Sequence, residues 1–408
     1  MKGYAGKILR VNLSQRKIRT ENLSEGMCRE YIGGKGFGAK ILYEETKART
    51  EPYDPSNPLI LATGPLNGTP LSGAAKFCAV FKSPLTEIWG ESQCGGYFAP
   101  QLKYAGYDMV IINGRSEKPV YLTIKDEEIG LSDASHLWGK DAFETERTIK
   151  EDYGKENQVL SIGPAGENLV RYACISHAEG RQFGRCGAGA VMGSKRLKTL
   201  AVSGSGSVEI SKPDDFDDFR IELNGKIRER LKSLTEYGTP PIMALTNTTG
   251  TLPTRYWTEG KFEGFEKINA NVMKREIVKR NKACFACAVA CGKLSKIKTG
   301  PYAGVVVEGP EYETLFAFGS LCGNDSLESI AKANEICDRL GMDTISAGNV
   351  VAFAMECYEK GLITKEDTEG ENLTFGNHDA IISVLSKIAY REGIGDILAQ
   401  GVRKAAEI

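Results

Sequence analysis

"SGSGSVEISKPDD", residues 203–215, is the stretch on which the fold turns. Upstream of it the chain is a succession of short β-prone runs separated by glycine-rich turns: KILRVNL (7–13), PLILATG (58–64), KFCAVF (76–81), DMVIING (108–114), VYLTI (120–124), QVLSIG (158–163), LVRYACIS (169–176) and TLAVSGSG (199–206). Helical pieces lie between them, around 37–47 and 141–153. Downstream the period changes to that of a helix, first in DDFDDFRIELNGKIRERLKSL (214–234) and then repeatedly from 272 to the end. The pattern predicts an α+β chain: an N-terminal domain of two β-sheets with helices over residues 1–210, then a mostly α-helical domain over 211–408.

Composition narrows the function. With 408 residues, 41% of them apolar, the chain can bury a large core, and its formal charge of −1 gives no whole-molecule field that would draw it to nucleic acid or an anionic membrane. No run of apolar residues is long enough to span a bilayer, and the start, MKGYAGKILRVNLS, lacks the apolar core of a secretory signal, so a cytoplasmic location is expected. There, eleven cysteines are a poor basis for disulfides. Some are expected to hold metal.

The densest cysteine run is NKACFACAVACGK (281–293), with Cys284, Cys287 and Cys291 at C-x₂-C-x₃-C spacing. On a helix these positions would share one face and form a core stripe interleaved with alanines. The same spacing suits three corners of an iron–sulfur cube, which usually takes four thiolates. Zinc would want a second ligand pair nearby, and the sequence offers none, so the cluster is favoured. Basic residues flank the run: Lys274, Arg275, Lys279, Arg280 and Lys282 before it, Lys293, Lys296 and Lys298 after. They read either as a solvated face or as a surface that steers an acidic electron carrier.

Three further stretches carry chemistry. GRCGAGAVMGSK (184–195) holds three glycines in six positions ahead of a helix expected near Ala190, which is either a tight turn or a cradle for phosphate. WGESQCGGYF (89–98), preceded by AAKFCAVFKSPLT (74–86), adds Lys76, Lys82, Gly95 and Gly96 as a second such region. In CDRLGMDT (337–344), Asp338 falls in the last turn of a helix expected to start on an Asp325/Glu328 capping box and to stop at Gly341, where the helix dipole disfavours a carboxylate. Asp343 either caps the next helix or joins Asp338 in binding a flat heterocycle rich in N–H donors. Finally VVVEGPEYET (305–314) sets Glu308, Glu311 and Glu313 after an apolar run, as surface carboxylates or as candidates for acid–base work. The histidines, His136, His177 and His378, read as surface or structural.

These blocks stand in a recognisable order. GGKGFGAKILYEE, LATGPLNGTPLSGAAKF, SPLTEIWGESQCGGYFAPQLKYAGYD, IGPAGENLVRYACISH, GRCGAGAVMGSKRLK, GTLPTRYWTEG, the cysteine run, EGPEYET and D-x-x-G-M-D resemble, over essentially the whole chain, the aldehyde:ferredoxin oxidoreductases, tungsten enzymes with a bis-pterin metal centre. The resemblance implies oxidation of an aldehyde to a carboxylic acid, with electrons leaving through a [4Fe–4S] cluster to ferredoxin or an iron–sulfur electron-transfer subunit. It implies that tungsten, or molybdenum, is held by the two pterins, that Mg²⁺ bridges their phosphates through backbone carbonyls near Gln93 and Phe183, and that Gly95, Gly96 and the loop Gly184, Arg185, Cys186, Gly187, Ala188, Gly189 wrap those phosphates. Lys76, where the family commonly has arginine, would lie between pterin and cluster. Asp338, Gly341 and Asp343 would bind one pterin, Cys284, Cys287 and Cys291 would ligate the cluster, and Glu313 would face the substrate and move a proton.

In that family the fourth cluster cysteine lies in a third domain, and the chain ends at Ile408 before it. The expectation is a truncated chain or a separately encoded third domain; a homodimer is allowed for. Alternatives are the tungsten subunit of an aromatic acyl-CoA reductase and a non-catalytic electron-transfer or cofactor-binding fragment. A pyridine-nucleotide dehydrogenase would want a Rossmann fingerprint that is not present.

Overall fold

The computed structural model describes residues 1–408. Its strands are β1 (Lys7–Asn12), β2 (Lys17–Asn22), β3 (Leu59–Ala62), β4 (Phe77–Lys82), β5 (Trp89–Cys94), β6 (Met109–Asn113), β7 (Val120–Lys125), β8 (Glu128–Asp133), β9 (Gln158–Ser161), β10 (Ile175–His177), β11 (Arg181–Phe183), β12 (Leu197–Ser203), β13 (Val278–Lys282), β14 (Gly292–Lys296) and β15 (Val306–Glu308). The first twelve form two six-stranded sheets, ordered β2-β1-β6-β3-β4-β5 and β11-β10-β9-β12-β7-β8. The anticipated two-sheet α+β architecture is therefore present. Two compact units divide the chain: Met1–Arg230 with Ala283–Val289, and Leu231–Lys282 with Ala290–Ile408. The helix Pro213–Arg230, which follows the stretch 203–212, counts with the first of them.

In the first unit the central strands β3, β4, β6 and β12 are buried almost throughout, as runs of Leu, Ile, Val and Phe must be when both faces of a sheet are covered. One core joins the sheets. It takes Leu9, Leu61 and Phe81 from the first, Leu122, Leu160 and Val202 from the second, and Phe98, Leu102, Val191 and Met192 from the helices Phe98–Tyr104 and Ala188–Ser194. Every residue of Ala188–Ser194 is buried.

Glycine makes that helix possible. A Cβ on Gly189 would overlap the Cys174 carbonyl, and one on Gly193 the carbonyl of Gly166 in the helix Pro164–Glu167. The two helices approach backbone to backbone. At Gly187, φ is +85°, and a Cβ would strike the Arg171 carbonyl. Of the glycines read from sequence as room for an anion, 187 and 189 are room for the protein's own main chain, as is Gly193 beyond them.

Buried lysines fasten the loops of the first unit. Lys103 pairs with Asp108 at the foot of β6, both side chains almost fully enclosed, and its ammonium also donates to the Gly3 carbonyl at 2.8 Å while Asp108 accepts from the amides of Ala5 and Gly6. Lys198 pairs with Glu167 in the same buried fashion. Lys195 has no carboxylate partner; its ammonium donates to the carbonyls of Pro55 and Gly114 at 3.2 and 3.5 Å. Burial, helped by the nearby Arg115 guanidinium, lowers its pKa to about 7.

The second unit carries the expected helices, among them Leu327–Leu340, Thr344–Glu359 and His378–Tyr390, and also the three-stranded antiparallel sheet β13-β14-β15. That sheet corrects the sequence analysis at the cysteine run, which is not helical: β13 ends at Lys282, β14 begins at Gly292, and between them the backbone turns with Ala286 and Ala290 at φ of +50° and +49°. The charged flanks VKRNK and GKLSK pair as strands, so the cysteines fall in the connection. The cap of Leu327–Leu340 is corrected too. Ser326 accepts from the Ser329 amide, whereas Asp325 pairs outward with Lys267 at 2.6 Å.

Two outcomes follow for stability. Gly193→Ala should destabilise by about 1–3 kcal/mol, because the overlap with Gly166 outweighs the ~1 kcal/mol that alanine gains as a helix former, whereas Gly225→Ala, in open space on the helix Pro213–Arg230, should stabilise by a few tenths to ~1 kcal/mol; urea titration reads both. Between pH 7 and 10 the unfolded chain holds the Lys195 proton that the folded chain has lost, so folded stability rises with pH across that window. Lys195→Met should remove about 2 kcal/mol of the rise between pH 7 and 9, measured as the change in denaturation free energy against the parent chain.

Candidate functional site

Several of the residues singled out in the first 210 positions meet at one end of the hairpin β4–β5. Phe77 pairs with Cys94, which leaves Lys76 just before the first strand and Gly95, Gly96 and Tyr97 just after the second. Lys76 is exposed and Gln93 is exposed, with the Gln93 amide donating to Glu91 at 2.7 Å. Phe183, at the end of β11, is fully buried with its edge against Phe77 at 4.7 Å, and Phe77 stacks on Phe98 at 5.5 Å. The loop that follows runs beside β5: the Arg185 amide donates to Ser92 Oγ at 3.2 Å, and Ser83 Oγ donates to the Cys186 carbonyl at 2.8 Å. Within it only Gly184 leaves its backbone open, the nearest atom to a Cβ there being 3.9 Å away.

The corner Gly95–Gly96–Tyr97 is occupied from two sides. A Cβ on Gly96, where φ is +97°, would lie 2.5 Å from the His177 ring, and one on Gly95 would lie 2.8 Å from Cys284 Sγ. His177 is fully buried, as a structural histidine should be. The cysteine turn docks on this corner through its main chain: the Phe285 amide donates to the Gly96 carbonyl at 3.1 Å and Tyr97 Oη donates to the Ala283 carbonyl at 2.9 Å. A second anchor is Ser72, whose Oγ accepts from the Ala288 amide at 2.8 Å and lies 3.9 Å from Cys287 Sγ. Sequence inspection missed Ser72, Tyr97 and the buried side of His177, because each acts through a hydrogen bond to a segment some 80 to 216 positions away.

Cys284, Cys287 and Cys291 form no disulfide, and each is partly exposed. Three soft donors close together in the chain suit three corners of an iron–sulfur cluster by donor type. No group of three His, Cys, Asp or Glu side chains forms a ready metal site. Cys291 belongs to the second unit, where the buried Lys293 ammonium donates to the carbonyls of Thr235, Ala290 and Cys291 at 3.0, 3.3 and 3.1 Å.

The remaining candidates lie in the second unit. Asp338 is buried in the last turn of its helix, with Oδ2 accepting from Asn334 Nδ2 at 2.9 Å, which offsets the unfavourable helix end. Gly341 closes that helix at φ +78°, in the left-handed conformation expected of it. Asp343 caps the helix Thr344–Glu359, accepting from the amides of Ile345 and Ser346 at 3.2 Å each. Of the acidic run, Glu308 is the buried member and pairs with Lys282 at 2.8 Å; Glu311 stands at the N-cap position of the helix Tyr312–Phe318, but its carboxylate accepts from Thr239 Oγ1 and makes no capping bond; Glu313, in the first turn, is exposed. Burial therefore falls on a different carboxylate from the one that the proton-transfer role would need.

Comparison with known proteins agrees with the order of these blocks. Residues 8–204 match the profile described as "Aldehyde ferredoxin oxidoreductase, N-terminal domain", and residues 220–408 that described as "Aldehyde ferredoxin oxidoreductase, domains 2 & 3". The whole chain aligns with the "Tungsten-containing aldehyde ferredoxin oxidoreductase" of Pyrococcus horikoshii at 43% identity and with that of Pyrococcus abyssi at 44%, covering 68% of each. A solved structure, "Active site complex BamBC of Benzoyl Coenzyme A reductase in complex with 1,5 Dienoyl-CoA", superposes with a TM-score of 0.89 at 31% identity, over 100% of this chain and 63% of that one. Sequence and fold together place the chain in the aldehyde ferredoxin oxidoreductase family.

Proposed function

We propose that the chain forms the larger part of a tungsten–pterin oxidoreductase that converts an aldehyde and water into a carboxylic acid, two protons and two electrons. The observation that carries this is identity of 43–44%, over the full chain, to relatives named as tungsten-containing aldehyde ferredoxin oxidoreductases. When bound, the metal and its pterins would supply the two-electron redox change, and the protein's part is to hold, orient and handle protons.

The residues fit that part unevenly. The open backbone at Gly184, with the Arg185 side chain exposed beside it, suits approach of a phosphate, and Gln93 and Phe183 lie on strands next to this loop, as carbonyl donors to Mg²⁺ would need to. Lys76, exposed at the mouth of the same hairpin, supplies a cation there, though without the two-pronged fork of an arginine. Asp338, buried and accepting from Asn334, is the carboxylate that would accept N–H groups of a pterin ring. The Asp343 carboxylate is engaged by its own helix, so Gly341 and Asp343 act mainly by shaping the turn that follows Asp338. Electrons would leave by way of Cys284, Cys287 and Cys291 to a ferredoxin or another iron–sulfur subunit. Glu313 would take the proton released as water adds to the carbonyl carbon, in a setting where bound substrate supplies the desolvation that the carboxylate lacks without it.

The structural match to the BamBC complex favours a second reading, the tungsten subunit of an aromatic acyl-CoA reductase. Its lower identity, 31% against 43%, sets it behind the first.

Metal analysis and two assays decide between them. Chain purified and handled without oxygen should contain tungsten or molybdenum together with iron and should reduce a viologen dye with aldehyde as donor. Iron alone would support an electron-transfer subunit, and turnover confined to aromatic acyl-CoA with a strong reductant would support the second reading. In the aldehyde assay, Glu313→Gln should lower kcat by about a hundredfold or more with little change in KM, the usual weight of a general acid–base group.

A further inference from the structure

We propose that His177 is the positioning residue of the cysteine turn: its neutral imidazole fixes the corner Gly95–Gly96–Tyr97, and that corner fixes the backbone on both sides of Cys284. What the thiols ligate rests on the function proposed above; how they are held does not.

Begin with the ring. His177 ends β10 and is fully buried, with its Nδ1 2.9 Å from the Val159 carbonyl and its Nε2 3.0 Å from the Tyr97 amide. A carbonyl can only accept and an amide can only donate, so Nδ1 carries the proton and Nε2 offers its lone pair. Phe98 closes another side of the ring, edge-on at 6.2 Å. Gly96 closes the near side, so closely that no side chain fits between its backbone and the ring. The imidazole is thus held between two main-chain groups that demand opposite hydrogen-bonding behaviour from it, a demand that only one neutral tautomer meets.

The same corner then hands its position on. Gly96 gives its carbonyl to the Phe285 amide, Tyr97 gives its hydroxyl to the Ala283 carbonyl, and Gly95 lies directly against Cys284 Sγ. Residues 283 and 285 are the two neighbours of Cys284, so a shift of the corner shifts that thiol with it. Cys287 is governed differently, through Ser72 at 3.9 Å from its sulfur and through the Ala288 amide. Loss of the His177 acceptor should therefore loosen Cys284 first.

The test uses the full chain, with its thiols reduced and no metal added. His177→Phe fills the same volume but leaves the Tyr97 amide without its acceptor, while His177→Gln restores an oxygen within reach. Alkylation by iodoacetamide, followed peptide by peptide by mass spectrometry, should be faster at Cys284 in His177→Phe by about tenfold, the factor that one lost hydrogen bond corresponds to. It should lie within about twofold of the parent chain in His177→Gln, and the partly exposed Cys357 should be unchanged in both. Unchanged reactivity of Cys284 in a folded His177→Phe would overturn the proposal. Should that variant not fold, hydrogen exchange in the parent chain decides: the amides of Tyr97 and Phe285 are expected to exchange together, and a freely exchanging Phe285 beside a protected Tyr97 would break the chain of contacts. Reconstitution with iron and sulfide gives a separate readout. A parent chain that takes up no iron would count against the function proposed above, with the thiol and exchange results still standing on their own.

Discussion

Most of the first unit depends on the contact of two short helices without side chains between them. Gly166 meets Gly193, and Gly189 meets the carbonyl of Cys174, so the helix Ala188–Ser194 lies one side-chain layer deeper than an ordinary helix does. This depth lets the preceding loop, Gly184 to Gly187, run close enough to β5 for the Arg185 amide to reach Ser92 and the Cys186 carbonyl to receive Ser83. Close packing of this kind tolerates little: an interior at crystal-like density has no slack for an added methyl group. The price is a stretch of backbone, Cys186 at φ +70° and Gly187 at +85°, that folds only because its surroundings determine it.

A different constraint governs the cysteine turn. Its own sequence, ACFACAVAC, gives no reason for a turn; alanine is the best helix former, and the i, i+3, i+7 spacing agrees with a helix. The strands on either side decide the matter. Val278–Lys282 and Gly292–Lys296 pair from Lys282 opposite Gly292 outward, with a register shift between Arg280 and Val278, which closes the nine intervening residues into a loop whose ends are a strand spacing apart. A helix of nine residues would be about 13 Å long and could not begin and end on neighbouring strands. Two alanines with positive φ carry the cost of that closure.

What was legible in the sequence follows from this. Runs such as PLILATG and TLAVSGSG became strands because hydrophobic burial on both faces overrides local ambiguity, and helices such as Thr344–Glu359 carried their caps in plain view. Short, polar or edge strands, β2 and β13 among them, escaped notice, since their pairing is set by partners and not by their own pattern. The glycines of 184–193 were noticed, but single-chain reasoning could not tell whether a glycine makes room for a ligand or for the protein's own carbonyl. Among the carboxylates the sequence flagged the segment EGPEYET, yet could not say that Glu308 would be the buried one, because burial there depends on Lys282 arriving from β13.

The basic flanks of the cysteine run show the same dependence in their charges. Lys282 and Lys293 are drawn inward, one against Glu308 and the other among four backbone carbonyls, so neither belongs to a solvated face. A buried ammonium is a costly choice, and it is made four times here: at Lys103 and Lys198 against a carboxylate and one carbonyl each, and at Lys195 and Lys293 among carbonyls. At each of these sites the ammonium donates to main-chain oxygens of segments that share no strand ladder: Gly3, Pro55 with Gly114, Lys140, and Thr235 with Cys291. One cation with three N–H donors ties together irregular loops that no regular hydrogen-bond pattern would hold, and loops of that kind are what a cofactor-binding surface is made of. Lysine at these positions therefore works as a structural cross-link, its charge satisfying several carbonyls at Lys195 and Lys293 and a carboxylate with one carbonyl at Lys103 and Lys198.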